Sequence, residues 1–226
     1  VPLTSPHSLG LLPLTLVEKS PPFGACPLMP PALPTVAAHL GVKDEVSLIA
    51  PCLAHLRRIG VSQIVVHDIA STDGTREWLE AQTAPDLRLI TSTDAATDAD
   101  MMATTMAGIA GIEADWLLML DADEFPLPQG GDIRACLART EADVLRIPRY
   151  NVVLGPEGLG MPLPPAEADY AAIDLYAGTD KTYRRQLEAN PMLTWLRFVP
   201  LPKVAVRMGP RIAGFANGMH DARPAE

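Results

Sequence analysis

The segment Asp121-Ala122-Asp123 has the side chains best suited to chemistry in this sequence. It follows the apolar run Trp116–Leu120, which predicts a buried strand. Because residues i and i+2 of a strand lie on the same side, the two carboxylates should lie together. Such a pair suits Mg²⁺ or Mn²⁺, which share their coordination shell with phosphate oxygens and neutralise a departing diphosphate. The structural alternative is a solvated acidic turn.

A second acidic turn, His67–Thr75, carries Asp68 and Asp73. A carboxylate at a strand end can accept hydrogen bonds from a nucleobase N–H or from ribose hydroxyls, as in dinucleotide-binding folds. The turn also has a structural interpretation, because Asp-Gly pairs form turns and Ser and Thr cap helices.

Apolar runs and helical patterns alternate along the chain. Strands are predicted at Thr35–Val42, Gln63–His67, Leu87–Ile90, Trp116–Leu120 and Val144–Ile147, and helices at Pro51–Ile59, Thr75–Ala84, Asp98–Ile112 and Asp132–Thr140. This rhythm predicts an α/β fold with a Rossmann-like, mostly parallel sheet and helices on both faces. Such sheets bind ligands at the carboxyl ends of their strands, where both acidic turns fall.

Proline marks the domain organisation. Of the 23 prolines, nine lie in residues 1–34, two in residues 35–125 and twelve after Phe125. Proline is excluded from helix interiors and central strands. We therefore predict a Pro-rich N-terminal arm at 1–34 and one domain at 35–226. Its regular half would be 35–125, and 126–226 would be loop-rich.

Composition excludes several classes of protein. The chain has 226 residues, 48% of them apolar, so it can build a core. A net charge of −9 argues against nucleic-acid binding. No apolar run approaches the roughly 18 residues of a membrane span, and three scattered cysteines form no zinc or disulfide pattern. We expect a cytoplasmic protein and leave peripheral association with the inner face of the membrane open.

The sequence resembles a family 2 glycosyltransferase of the GT-A fold, in the bacterial subgroup with a DGT turn and an ADWxxxxDxDEF strand. The resemblance covers about Thr35 to Phe125. The residues that carry it are Val42-Lys43-Asp44-Glu45, Leu53 to Leu56 with Gly60-Val61, Val65 to Asp68, Ser71 to Thr75, and Asp115 to Phe125.

The resemblance implies metal-dependent transfer of a sugar, with inversion, from a UDP- or GDP-sugar to an acceptor hydroxyl. A glycan or a lipid-linked sugar would be the acceptor. Asp121 would lie near the ribose and the metal, and Asp123 would be the direct ligand of Mn²⁺ or Mg²⁺. The nucleoside pocket would be lined by Asp68 and Asp73, with Asp44 and Glu45 on the neighbouring loop.

Three residues depart from the family pattern. Asp44 replaces the usual Asn of the first loop, Ile69 replaces the usual Asn after Asp68, and Ala70 follows it. Ile69 cannot hydrogen-bond a base, so these residues put donor recognition in question.

The second half supplies weaker candidates. The resemblance implies a late metal-binding His, here His220, and basic residues on phosphates, here Lys203 and Arg207; a solvated strand face explains the basic pair equally well. Asp169 and Asp174 are the candidate bases for the acceptor, although each fits a surface acid as well. We expect His55 on a helix surface and assign it no chemistry.

Three other functions remain open. A sugar nucleotidyltransferase also uses an acidic metal site, but Val42 to Glu45 offers one Lys and no Gly-rich triphosphate loop. A catalytically decayed, GT-A-like binding domain fits Ile69, Ala70 and the lack of an identified base. A phosphatase would place its Asp-x-Asp motif at the first strand.

Overall fold

The computed structural model describes residues 32–94, 96–153, 174–176, 182–190, 192–193, 198–209, 212–216 and 220–224. Residues 1–31, most of the predicted N-terminal arm, lie outside this set. Among the described residues, no helix is long and apolar enough to cross a membrane.

The secondary structure begins with a regular strand–helix alternation. The strands are β1 (Val36–Val42), β2 (Gln63–Ile69), β3 (Leu87–Ser92), β4 (Trp116–Asp121), β5 (Val144–Ile147), β6 (Asn151–Val153), β7 (Asp174–Tyr176), β8 (Lys203–Arg207), β9 (Ile212–Ala216) and β10 (Asp221–Pro224). The helices are α1 (Ile49–Arg58), α2 (Thr75–Glu80), α3 (Asp98–Ile109), α4 (Ile133–Leu137) and α5 (Tyr183–Ala189).

Six strands form one sheet in the order β3-β2-β1-β4-β8-β5. β1 to β4 run parallel to one another, and β8 is antiparallel to both β4 and β5. The predicted α/β fold with a mostly parallel sheet is therefore confirmed. The other strands form two antiparallel pairs, β6 with β7 and β9 with β10.

The core lies on both faces of the sheet. Alternate residues of β1, such as Ala38 and Leu40, pack with α1, α2 and α4 on one face. Residues of the other register, such as Ala37 and Met119, pack with α3 and the β9–β10 pair. Because alternate residues of a strand face opposite ways, a central strand buried on both sides is apolar throughout, as Trp116–Leu120 is.

The C-terminal third, which we predicted to be loop-rich, also contributes to the central sheet. It supplies β8, which lies inside the sheet between β4 and β5. α2 and α4 are also shorter than predicted, ending at Glu80 and Leu137. The sequence analysis allowed for a solvated strand face at Lys203 and Arg207 but not for a strand inside the sheet, because the sheet partners of β8 are more than 50 residues away.

Candidate active site

The sheet has a topological switch point between β1 and β4. From β1 the chain moves outward through β2 and β3, and it then returns to β4 on the other side of β1. Gly41 of β1 lies beside Asp121 of β4 in the register. Crevices at such points, outside the carboxyl ends of the strands, are where open α/β sheets bind ligands. The turn Asp121 to Glu124 lies at this point.

A tight turn after β4 gathers three carboxylates. The amide of Glu124 donates to the Asp121 carbonyl, and the amide of Asp121 donates to Glu124 Oε2 at 2.9 Å. One carboxylate oxygen from each of Asp121, Asp123 and Glu124 lies within 4.8 Å of the others. The predicted proximity of Asp121 and Asp123 is therefore present in the structure.

Two cations neutralise part of this group. Lys203 Nζ, on β8, lies 2.6 Å from Asp121 Oδ2 and 3.5 Å from Glu124 Oε2. Arg149, just after β5, forms an ion pair with Glu124 Oε1. Asp123 makes no hydrogen bond or ion pair with any described residue, so its carboxylate remains available to a ligand.

Glu45 extends the acidic site from the β1 side. Partial burial raises the pKa of its carboxyl, and the nearby charges of Asp123, Asp73, Asp121 and Asp44 raise it further. Negative charge from the loops after β1, β2 and β4 therefore converges on one region. Such a region favours a cation.

Side-chain hydrogen bonds in both directions join the turn after β2 to the loop after β1. Asp44 Oδ1 accepts from the Thr72 amide at 2.7 Å, and the Asp44 amide donates to Ser71 Oγ. Asp73 binds the amides of Val46 and Thr75.

Thr75 completes the connection between the two loops. Its hydroxyl accepts from the Glu45 amide at 2.8 Å and donates to Asp73 Oδ1 at 2.5 Å. The Ser-Thr-Asp-Gly-Thr segment thereby positions Glu45.

Asp68 lies at the end of β2 and is wholly buried. Its carboxylate accepts from Arg76 Nε at 2.7 Å and from the Ser71 amide at 3.3 Å. Arg76 also donates to the Ser92 carbonyl at the end of β3. We predicted that Asp68 would contact a base of the nucleotide, but its carboxylate already accepts hydrogen bonds within the protein.

The other predicted residues fall into three groups. His220 donates from Nδ1 to the Pro202 carbonyl at 3.0 Å, which orients its ring, and its pKa is lowered by burial and by Lys203 and Arg149. Asp169 lies outside the described residues, and for Asp174 the structure describes only its place in β7. Arg207 lies at the opposite end of β8, over the Trp116 ring, so it is not beside Lys203.

His55 corrects a sequence-based expectation. We expected it on the surface of a helix, but it is buried. Its Nε2 donates to the Pro126 carbonyl at 2.6 Å, Nδ1 accepts from Arg58, and the ring packs edge-on against Phe125. His55 therefore anchors the chain just after the acidic turn to α1. The polar contact on the Phe125–Pro126 backbone explains why an imidazole occupies a core position.

Sequence reasoning missed two residues near the site. Arg149 follows the end of β5 after Pro148, so the rule that ligands bind outside the carboxyl ends of strands could have pointed to it. His39 lies within β1 and gave no sequence signal. It is 1% exposed, packs 6.1 Å from the His67 ring, and neither ring nitrogen has a hydrogen-bond partner among the described residues.

The donor set suits a hard divalent cation. Asp123 is open, and Asp121 is 49% exposed and has one oxygen on Lys203. Carboxylate oxygens suit Mn²⁺ or Mg²⁺. His220 is not among the residues whose ligand atoms meet within 4.8 Å. Glu124 belongs to the same group, but both of its oxygens already have partners within the protein.

A scan of protein-family models and a search of curated proteins give no match. Among solved structures, the chain is similar to glucosyl-3-phosphoglycerate synthase from Mycobacterium tuberculosis in complex with UDP, with 16% identity and a TM-score of 0.43 over 77% of this chain and 57% of that chain.

Two further solved structures are similar to parts of this chain. S. aureus TarS 1-349 matches with 17% identity and a TM-score of 0.43 over 76% of this chain and 47% of that chain. The mannosyltransferase PcManGT from Pyrobaculum calidifontis, in complex with GDP-Man and Mn²⁺, matches with 27% identity and a TM-score of 0.33 over 46% of this chain and 30% of that chain. The chain thus spans 30–57% of the length of these three proteins.

Proposed function

We propose that the protein is a metal-dependent glycosyltransferase of family 2. It would transfer a sugar, with inversion, from a UDP- or GDP-sugar to an acceptor hydroxyl. The observation that supports this most is the position of Asp121 and Asp123 at the switch point between β1 and β4. That is the place where a parallel sheet binds a nucleotide, and it carries oxygen ligands for a divalent cation.

The chemistry follows from what these residues can hold. Asp123, the free oxygen of Asp121 and His220 Nε2 would hold Mn²⁺ or Mg²⁺, which when bound stabilises the charge of the departing diphosphate. Lys203 and Arg149 fix the carboxylates of Asp121 and Glu124. The loop carrying Asp44 and Glu45, which Asp73 and Thr75 position, would form the wall on the nucleoside side.

The acceptor side belongs to residues 126–226. A base near neutral pH must take the proton of the acceptor hydroxyl, and Asp169 and Asp174 stay the candidates. The acceptor would be a glycan or a lipid-linked sugar, at the inner face of the membrane or in the cytoplasm.

One observation favours a second candidate, a nucleotide-diphosphate-binding domain without transferase activity. Asp68 is buried against Arg76, and Ile69 and Ala70 offer no side-chain hydrogen bonds to a base. Donor hydrolysis separates the two functions, since active transferases commonly hydrolyse their donor slowly.

Isothermal titration calorimetry of UDP and GDP with and without Mn²⁺ tests the proposal. We expect nucleotide binding that needs Mn²⁺ in the native protein and is lost in Asp123→Asn. Asp98→Asn makes the same chemical change at an exposed position at the start of α3, so it should bind as the native protein does. Metal-independent binding, or unchanged binding in Asp123→Asn, would contradict the proposed function.

A further inference from the structure

Lys203 is a buried cation that faces the acidic site from the antiparallel strand. It is 4% exposed, and its Nζ lies 2.6 Å from Asp121 Oδ2. β8 pairs with β4 so that Val204 lies beside Met119, which brings Lys203 level with the end of β4. The chain therefore holds a cation at the point where a metal would need oxygen ligands.

A buried ammonium group requires anionic partners, because an uncompensated charge inside a protein is costly. Lys203 finds them in Asp121 and, at 3.5 Å, Glu124. Arg149 and the Asp121 amide bind the Glu124 carboxylate as well. One oxygen of Asp121 and the carboxylate of Asp123 are then what this turn leaves for another cation.

We infer that Lys203 is a resident counter-cation that holds the Asp121 carboxylate in place and weakens the binding of a free divalent ion beside it. The inference rests on the proposed function, and it assigns Lys203 a positioning role in place of a phosphate contact. Like charges a few ångströms apart repel strongly where water is excluded. The native protein should therefore bind the metal alone weakly.

This role predicts two opposite effects of removing the charge. In Lys203→Met, Asp121 loses its ion-pair partner and Glu124 keeps only Arg149, so the metal-free protein should melt at a lower temperature. The same loss removes the repulsion toward a divalent ion, so Mn²⁺ should bind about tenfold more tightly. A merely structural lysine would give the first effect alone. If Lys203 bound a phosphate instead, its removal would weaken nucleotide binding and leave the affinity for the metal unchanged.

Electron paramagnetic resonance of free Mn²⁺, titrated with protein and no nucleotide, measures this affinity, and thermal melting with and without Mn²⁺ gives the stability. We expect a lower dissociation constant for Lys203→Met and a larger rise of its melting temperature with Mn²⁺. Arg207→Met is the matched control, because it removes a positive charge from the far end of the same strand. Its affinity for Mn²⁺ should stay native.

Equal or weaker Mn²⁺ binding in Lys203→Met would overturn the inference. Lys203→Gln keeps a hydrogen-bond donor without the charge, so it gives the same test if the methionine variant does not fold. Because the titration contains no nucleotide, a native protein that fails to bind UDP or GDP would defeat the proposed function while leaving this result intact.

Discussion

The turns after β2 and β4 contain similar residues but use them differently. In the β2 turn, Asp68 and Asp73 both bind partners inside the protein. In the β4 turn, Asp121 and Glu124 are neutralised by Lys203 and Arg149, while Asp123 has no partner among the described residues. An acidic residue at a strand end is therefore not by itself a ligand. Its role depends on the donors that the neighbouring elements bring.

The donors differ because the two turns face different neighbours. The β2 turn lies beside the loop after β1, whose backbone amides at Glu45 and Val46 need acceptors. The β4 turn lies between that loop and β8, and β8 supplies a single lysine. We expect the β2 turn to govern stability and the β4 turn to govern ligand binding, and the following predictions test this division.

Asp68→Asn should have the largest effect on stability. The change leaves Arg76 without its buried anionic partner, which we expect to lower the free energy of unfolding by about 3 kcal/mol and the melting temperature by roughly 6–12 °C. Urea denaturation measures the loss.

Asp123→Asn is the matched variant in the other turn. Its carboxylate has no described partner to lose and several nearby carboxylates that repel it, so its stability should equal or exceed the native value. Equal losses in the two variants would remove the distinction between the turns.

His39→Leu tests the sheet interior beneath both turns. Burial, with a smaller contribution from His67, lowers the pKa of His39 to about 4. As the pH falls from 6.5 toward 4, His39 binds a proton in the unfolded chain but not in the folded protein, so the fold loses stability across that window. The loss due to His39 is about 2 kcal/mol at pH 5.

Urea denaturation at pH 8 and pH 5 measures this effect. The decrease in unfolding free energy between the two pH values should be about 2 kcal/mol smaller in His39→Leu than in the native protein. The remaining decrease belongs to other groups, including His55 and His67, whose pKa values burial also lowers. An unchanged decrease would show that His39 is protonated as easily in the fold as in the unfolded chain.

Thr75→Val tests the connection between the two loops. The valine keeps the shape of the buried side chain but leaves the Glu45 amide without its acceptor, which should cost about 1.5 kcal/mol. The Glu45 amide should exchange its hydrogen faster in NMR measurements. Thr75→Ser keeps the hydroxyl, so protection of that amide should persist there. Fast exchange in both variants would mean that the hydroxyl does not hold the loop.

Ala70→Gly should give the smallest change, and it should stabilise. Ala70 has a φ of 55°, a conformation that costs an L-residue roughly 1 kcal/mol. Glycine relieves this strain but loses more backbone entropy on folding, so the net gain is about 0.5 kcal/mol. Differential scanning calorimetry should show a rise of about 1–2 °C. Ala81→Gly, at a φ of −75°, should lower the melting temperature instead.

The sequence predicted the regular half of the fold well. Trp116–Leu120 is apolar because β4 is buried on both faces. This run and the neighbouring apolar runs correctly predicted a mostly parallel sheet. Asp121 and Asp123 were found because an acidic pair directly follows a buried strand. Lys203 was singled out only through the family resemblance. Arg149 was missed although it lies close to the end of a predicted strand, and His39 was missed because nothing in the local pattern of β1 marks it.

The alternation of strands and helices, and the presence of two acidic strand ends, were fixed by local pattern, since burial and side-chain period act over a few residues. The tertiary structure decided which carboxylates have ion-pair partners within the protein. Arg76 reaches Asp68 from the first turn of α2, whereas Lys203 reaches Asp121 across 82 residues of chain through the β4–β8 pairing. The partners of a charged group are set by spatial neighbours, which residue type and local spacing do not specify.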